Sequence, residues 1–162
     1  MLERKEILNE SDIQWLHPVI VDIWTEVFTP IIGKDQVDYM LQNYQGIDNI
    51  RQEIQQGIRY FALMFQNECI GYTAYELKTD YIYLSKIYIE KAYRGKGFMR
   101  EIFDWYDQLS HQYQRKQLLR VNQGNERAIK VYNKREFKLI AEDIVDIGAG
   151  FQMVDYLFEK NS

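Results

Sequence analysis

A chain of 162 residues that is 46% apolar and 27% charged has room for one domain with a substantial core, which excludes disorder. Its net charge of -4 argues against general nucleic-acid binding and is compatible with attracting a cationic partner. Cys69 is the sole cysteine, so no intrachain disulfide is possible, and with only His17 and His111, far apart, no zinc site is expected.

Met1 to Glu6 lacks the apolar run of a signal peptide, and no stretch reaches the length of a membrane span, so a cytoplasmic location with no membrane partner is expected. Leu2 to Leu8 reads as a first strand. Ser11-Asp12 offers a helix N-cap ahead of Ile13, Leu16, Val19, Ile20, Ile23, Trp24 and Val27, with Pro18 either starting the main helix or kinking it. Phe28-Thr29-Pro30 and Gly33 are expected to break the pattern before a second helix from about Lys34 to Tyr44, and Asp48 to cap a third ending near Gly57.

The chain then changes character. Tyr60 to Phe65, Cys69 to Glu76 and Tyr81 to Ile89 are strand-like runs with turns at Asn67-Glu68 and Lys78-Thr79-Asp80, an antiparallel meander. Cys69, with no His or basic cluster beside it, reads as a small buried residue rather than a nucleophile. The third run enters Arg94-Gly95-Lys96-Gly97, after which Phe98, Met99, Ile102, Phe103, Tyr106 and Leu109 recur at helical spacing. Two glycines there let the backbone curl close to a ligand, and the free N–H groups and dipole of the helix start favour an anion. The alternative is an ordinary strand-to-helix turn. Neither G-x-G-x-x-G nor a Walker loop is present.

Gln117 to Val121 returns as a strand parallel to Tyr81–Ile89 through a right-handed crossover. A helix follows from Asn125 to about Arg135, and Phe137 to Ile144 and Phe151 to Phe158, separated by Gly148-Ala149-Gly150, close the chain as two strands. Asn125 and Tyr132 lie seven residues apart, which is ~20° around a helix, with Ala128 between them. Such a face makes a groove with polar ends; equally, Asn125 can cap the helix and Tyr132 pack in the core.

Arg94-Gly95-Lys96-Gly97-Phe98-Met99, followed by Asn125, Ala128, Tyr132 and Phe137, resembles the GNAT superfamily of acetyl-CoA-dependent N-acetyltransferases. The likeness runs from about Arg59 to Phe158. It implies one α+β domain over residues 1–162, three-layered, with a mixed, mostly antiparallel sheet of about seven strands and helices on both faces. It also implies acetyl-CoA as co-substrate and an amine acceptor. By position, Ile87, Tyr88 and Ile89 would pair with the pantetheine arm, Arg94, Gly95, Lys96, Gly97, Phe98 and Met99 would cradle the pyrophosphate, Asn125 would hold the arm from its other side, and Tyr132 would protonate the leaving thiolate. Met99 and Glu136 depart from the family's small residues at those places. Ser85 stands where members often carry a glutamate base.

A lysine-like amine, with a pKa of ~10.4, needs roughly 4.6 kcal/mol to lose its proton at pH 7, so some group must accept it. Glu76, Asp80, Tyr83 and Asp155 lie on or beside strands and are candidates, each also readable as a plain surface or turn residue. The closing stretch from Asp146 to Leu157 is similar to bacterial polyamine and other small-amine acetyltransferases, which implies a small cationic acceptor. The alternatives are acetylation of a protein or peptide amine, or an acyl-CoA-binding regulator without turnover. The aromatic-rich closing strands offer an edge for a homodimer.

Overall fold

The computed structural model describes residues 1–162. In chain order it contains β1 (Glu3–Glu6), α1 (Glu10–Ile32), α2 (Lys34–Asn43), α3 (Ile47–Gln55), β2 (Arg59–Phe65), β3 (Glu68–Leu77), β4 (Tyr81–Ile89), α4 (Phe98–Tyr113), β5 (Lys116–Asn122), α5 (Glu126–Lys134), β6 (Lys138–Gly148) and β7 (Phe151–Lys160). The α+β architecture and seven strands agree with the sequence reading; the helix ends near the N-terminus do not.

α1 is one helix through both Pro18 and Pro30. Each proline removes one backbone donor, but Ile13, Leu16, Ile20, Ile23, Trp24, Val27 and Phe28 form an unbroken buried stripe whose packing outweighs that cost. The cap is Asn9, not Ser11-Asp12: Asn9 Oδ1 accepts the Asp12 N–H at 2.9 Å, while the Asp12 carboxylate accepts the Leu8 N–H at 2.9 Å. Likewise the cap of α3 is Gly46, whose N–H donates to Asn49 Oδ1 at 3.2 Å, and Asp48 instead pairs with Arg51 at 2.7 Å.

The seven strands lie in the order β1-β2-β3-β4-β5-β7-β6, antiparallel throughout except for the β4–β5 pair. One face carries α4 and α5 over a core of Ile82, Leu84, Ile87, Ile89, Phe103, Tyr106 and Phe158. The other carries α1 to α3 over Ile20, Ile23, Trp24, Tyr60, Tyr72 and Ala74. Both cores come from period-two alternation in the strands meeting helical stripes, as two half-buried faces require. No helix is long and apolar enough to cross a membrane.

α5 ends in a way that bears on Tyr132. The Glu136 N–H donates to Asn133 O at 3.1 Å and the Phe137 N–H to Tyr132 O at 3.0 Å, the two bonds of a Schellman turn. The Tyr132 and Phe137 rings meet 6.0 Å apart, as the hydrophobic contact of that motif demands. Glu136 therefore sits at φ 71°, a conformation that suits glycine. Glu136→Gly is expected to raise stability by roughly 0.5–1 kcal/mol, the left-handed strain relieved less the added freedom of the unfolded chain, seen as a melting temperature about 2 °C higher.

Candidate active site

The site begins where two strands part. β4 and β5 pair only from Tyr81↔Lys116 to Leu84↔Leu119, although β4 runs on to Ile89 and β5 to Asn122. Against β3, Ala74 faces Lys86 and Tyr75 faces Leu84, so Ser85 is the extra residue of a β-bulge placed where the parallel pairing stops. A bulge bends its strand and advances the side-chain alternation by one. Ile87 and Ile89 thus remain in the α4 core with Leu84, while Lys86 and Tyr88 turn toward α1.

On the glycine-loop side of this fork lies a groove of about 310 Å³, lined by Val27, Tyr88, Ile89, Tyr93, Arg94, Gly95, Gly97, Met99, Asn125, Arg127, Ala128, Val131 and Tyr132. The N–H groups of residues 95–100 find no acceptor within the chain, because Gly97 takes the helix start at φ 86°, ψ 0° and the loop folds onto nothing. Six free donors at a helix N-terminus form an anion seat. The expected cradle residues divide accordingly. Gly95, Gly97 and Met99 line the groove, whereas the Lys96 ammonium sits 5.7 Å over the Tyr93 ring and the Phe98 ring packs in the core 4.8 Å from Phe65, so Phe98 can offer only its N–H.

Arg94 lines the groove but is not a free cation. Its Nη2 donates to Glu26 Oε1 at 2.6 Å and its Nε to Ile89 O at 3.1 Å, tying the loop to α1 and to the end of β4. Its Nη1 is buried without a partner. The hydrogen bond from Arg94 holds the Glu26 carboxyl below its ordinary range, and burial with the Arg94 charge lowers Arg127. Sequence reasoning missed Glu26 and Arg127, since nothing local to either marks a site.

On the other side lies a cavity of about 260 Å³ bounded by Trp24, Phe28 and Ile32 of α1, Gln36 and Met40 of α2, and Tyr83, Ser85, Lys86, Ile87 and Tyr88 of β4. Tyr44, Gln45, Glu53, Leu84, Arg120, Val121, Asn122, Asn125, Tyr132, Met153 and Asp155 complete it. Tyr39 Oη and Tyr44 Oη both donate to Ile147 O, at 2.7 and 2.8 Å, and Gln36 Nε2 donates to Gln152 O at 2.8 Å. These bonds bridge α2 to the β6–β7 hairpin across the cavity wall. Of the aromatics in α1 and α2, Trp24 and Phe28 face the cavity, Tyr39 holds the bridge, and Trp15 is exposed.

Only Tyr88, Asn125 and Tyr132 line both spaces. Asn125 does cap α5, accepting the Ala128 N–H at 3.4 Å, which leaves its Nδ2 without a partner at the junction. The Tyr132 ring is core, against Phe103, Phe137 and Phe158, but its hydroxyl makes no hydrogen bond within the chain and reaches the cavity. Both readings of this helix face therefore hold at once. Burial raises the Tyr132 and Tyr88 phenols well above the ordinary tyrosine value and pushes Tyr83 up to about 12.

The base candidates separate cleanly. Glu76 pairs with Lys78 at 3.2 Å and Asp80 is exposed in a turn, both away from the cavity, whereas Tyr83 and Asp155 line it. Ser85 Oγ donates to Ala74 O at 3.3 Å and is spent on the bulge. Lys86 and Glu53 are further cavity groups; burial lowers Lys86 while Glu53 opposes that shift. A lysine inside the apolar run of β4 was the sequence signal for it. Cys69 donates to Gly71 O at 3.4 Å, and burial raises its thiol, as an inert residue requires.

Residues 29–159 match the family described as the acetyltransferase (GNAT) domain. Among solved structures, the fold is similar to that of PaiA N-acetyltransferase from Thermoplasma acidophilum in complex with coenzyme A, with TM-score 0.81 and 16% identity over 100% of this chain and 99% of that one. A GCN5-related N-acetyltransferase from Rhodopseudomonas palustris gives 0.80 and 13% over 99% and 95%. NAA60 of Arabidopsis thaliana, in complex with a bisubstrate analogue, gives 0.67 and 16% over 99% and 98%. At such identities the likeness is one of fold. No curated protein matches the chain by sequence.

A Cβ built on Gly97 meets nothing within 4 Å, so Gly97→Ala strains the backbone without a clash inside the protein. We expect it to cost about 1 kcal/mol of stability through the left-handed φ while weakening acetyl-CoA binding at least tenfold, because the methyl enters the anion seat. Calorimetry on the folded variant decides; unchanged affinity would remove this loop from the site.

Proposed function

The chain belongs to the GNAT acetyltransferase family, and on that premise we propose that it moves the acetyl group of acetyl-CoA directly to a primary amine of a small cationic molecule such as a polyamine. The carrying observation is that groove and cavity meet only at Tyr88, Asn125 and Tyr132. A donor entering by the glycine loop and an acceptor entering beneath α1 and α2 would bring thioester and amine together there, which supplies the proximity that direct transfer needs.

In this reading the backbone of Ile87 to Ile89, unpaired on its β5 side, takes the pantetheine arm as a strand takes a neighbour. The free N–H groups of the loop hold the pyrophosphate, with the free Nδ2 of Asn125 on the arm's other side. The Tyr132 hydroxyl protonates the departing thiolate. Burial keeps that proton in place across the working range, and the same burial disfavours a bare thiolate, so the proton passes to sulfur as the C–S bond breaks and the amide nitrogen's proton makes good the loss.

Size and charge favour a small cation. The cavity, about 260 Å³, lies below the usual range for drug-sized ligands, and three hydrogen bonds tie the helix beside it to the β6–β7 hairpin. Glu53 and Asp155 face the cavity, and of the two cations there Arg120 is engaged by Asp143 at 2.7 Å while burial lowers the Lys86 pKa against the opposing pull of Glu53. Ser85, which is no base, is what favours the second reading, an acyl-CoA-binding regulator without turnover.

Released thiol measured over a panel of primary amines with acetyl-CoA distinguishes these: turnover of small diamines supports the proposal, turnover of peptides alone overturns its acceptor, and binding without turnover favours the regulator. For Tyr132→Phe we expect kcat to fall ~10²-fold in single-turnover kinetics with acetyl-CoA affinity nearly unchanged, since Phe keeps the packing volume and loses only the acid. A rate within about threefold of the parent would remove that role.

A further inference from the structure

Asp155 is out of place by the ordinary rules of burial. It lies mid-strand in β7, cross-strand from Asn122, with its side chain 5% exposed, and what exposure it has is to the inner cavity. No group in the chain donates a hydrogen bond to its carboxylate. The nearest cation, Arg120 Nη1, is 3.8 Å away and sits 2.7 Å from Asp143 instead. A buried carboxylate with no donor is costly, and such groups in native proteins call for an explanation. The Asp155 oxygens open to the cavity, and with Arg120 held by Asp143 the group that best matches them is a cationic donor small enough to enter there.

Resting on the acetyl-transfer reading above, we propose that Asp155 is the seat of the acceptor's ammonium group and the base that takes its proton. Around it stand Arg120 and Asn122 of β5, Asp143 of β6, Tyr83, Lys86 and Tyr88 of β4, Glu53 of α3 and Tyr132 of α5. Burial raises the Asp155 carboxyl above the ordinary aspartate range, Arg120 opposes that, and Asp143 adds to it. It is therefore a better proton acceptor than a surface carboxylate. Asp155 also contributes to the raised Tyr83 and Tyr88 phenols, which places it within electrostatic reach of the junction.

The protons balance as follows. R–NH3⁺ passes one proton to the Asp155 carboxylate and becomes R–NH2, whose lone pair attacks the thioester carbonyl carbon. The C–S bond breaks as the tetrahedral intermediate collapses, and the thiolate takes the Tyr132 hydroxyl proton. The nitrogen loses its second proton on becoming an amide, and that proton restores Tyr132. Asp155 releases the first to solvent as product leaves.

The test uses the full chain with acetyl-CoA and 1,4-diaminobutane, or the best acceptor of the amine panel. The wild type should show kcat/KM rising as the Asp155 carboxyl ionises and then level up to the amine's own pKa. Asp155→Asn should lose at least 100-fold near pH 7 and rise with unit slope, because only amine already neutral in solution reacts. Its acetyl-CoA affinity should stay within twofold. Since the folded carboxyl pKa lies above the unfolded one, the native carboxylate destabilises the fold at neutral pH, and Asp155→Asn should melt no lower than wild type. Asp155→Ala should regain activity with added formate, which a structural role would not allow. Retention of kcat/KM within threefold in Asp155→Asn, or loss confined to Glu53→Gln, overturns the inference and leaves acetyl transfer standing. A wild type that acetylates no amine overturns both. Should the variants unfold, 13C NMR of aspartate-labelled wild type decides: a carboxyl titrating above the ordinary range and shifted by 1,4-diaminobutane supports the assignment, and none overturns it.

Discussion

The interaction on which this structure depends is one that stops. Parallel pairing between β4 and β5 lasts four residue pairs, and the Ser85 bulge then carries β4 away. Had the ladder continued to Ile89, the sheet would be closed and Tyr132 would lie beneath it as an ordinary core residue. With the ladder open, the hydroxyl of a tyrosine on one face of the sheet reaches a cavity on the other. The sheet survives the opening because β5 stays paired to β7 as far as Asn122↔Asp155, and β7 to β6 along its length.

An opened sheet leaves polar groups without partners, and here they collect along one path. The N–H groups of residues 95–100, Asn125 Nδ2, the hydroxyls of Tyr83, Tyr88 and Tyr132, and the Asp155 carboxylate all lack a partner in the chain, from the glycine loop to the back of the cavity. Water can reach the exposed loop donors, whereas the groups inside the cavity are poorly placed for it. On the proposed reading, their alignment lets two ligands supply those partners without rearrangement. Apolar packing must hold the fold meanwhile, through the Phe103, Tyr132, Phe137 and Phe158 rings on one face and Trp24, Phe28 and Tyr72 on the other.

What could be read in the sequence was what the chain builds locally. The change of period at Gly97, the cap-to-tyrosine spacing from Asn125 to Tyr132 and the three-strand meander are short-range patterns, and the structure has them where the pattern put them. Long-range partners were out of reach. Arg94 looked like a free cation because Glu26 lies 68 residues away, and the packing of the Phe98 ring against Phe65 of β2 was hidden for the same reason. The helix break expected at Pro30 failed for a related reason: two prolines are a local signal, and a buried stripe over the length of α1 is not. Nothing in Leu84-Ser85-Lys86 marks a bulge, so the inward turn of Lys86 was hidden with it.

On the proposed reading, donor and acceptor sides rest on different physics. The donor side is a loop, a helix start and a helix cap, each settled by neighbours in sequence. The acceptor side is assembled from α1, α2, α3, β4, β5 and β7, and its outer wall hangs on two phenols sharing the Ile147 carbonyl and one glutamine on Gln152. A substitution at Gln36, Tyr39 or Tyr44 changes the width of the cavity without touching the anion seat, whereas a change in the Gly95–Gly97 loop reaches the donor alone. The two could therefore vary independently, and on that reading acceptor choice would reside in contacts spanning more than a hundred residues, where no short motif records it.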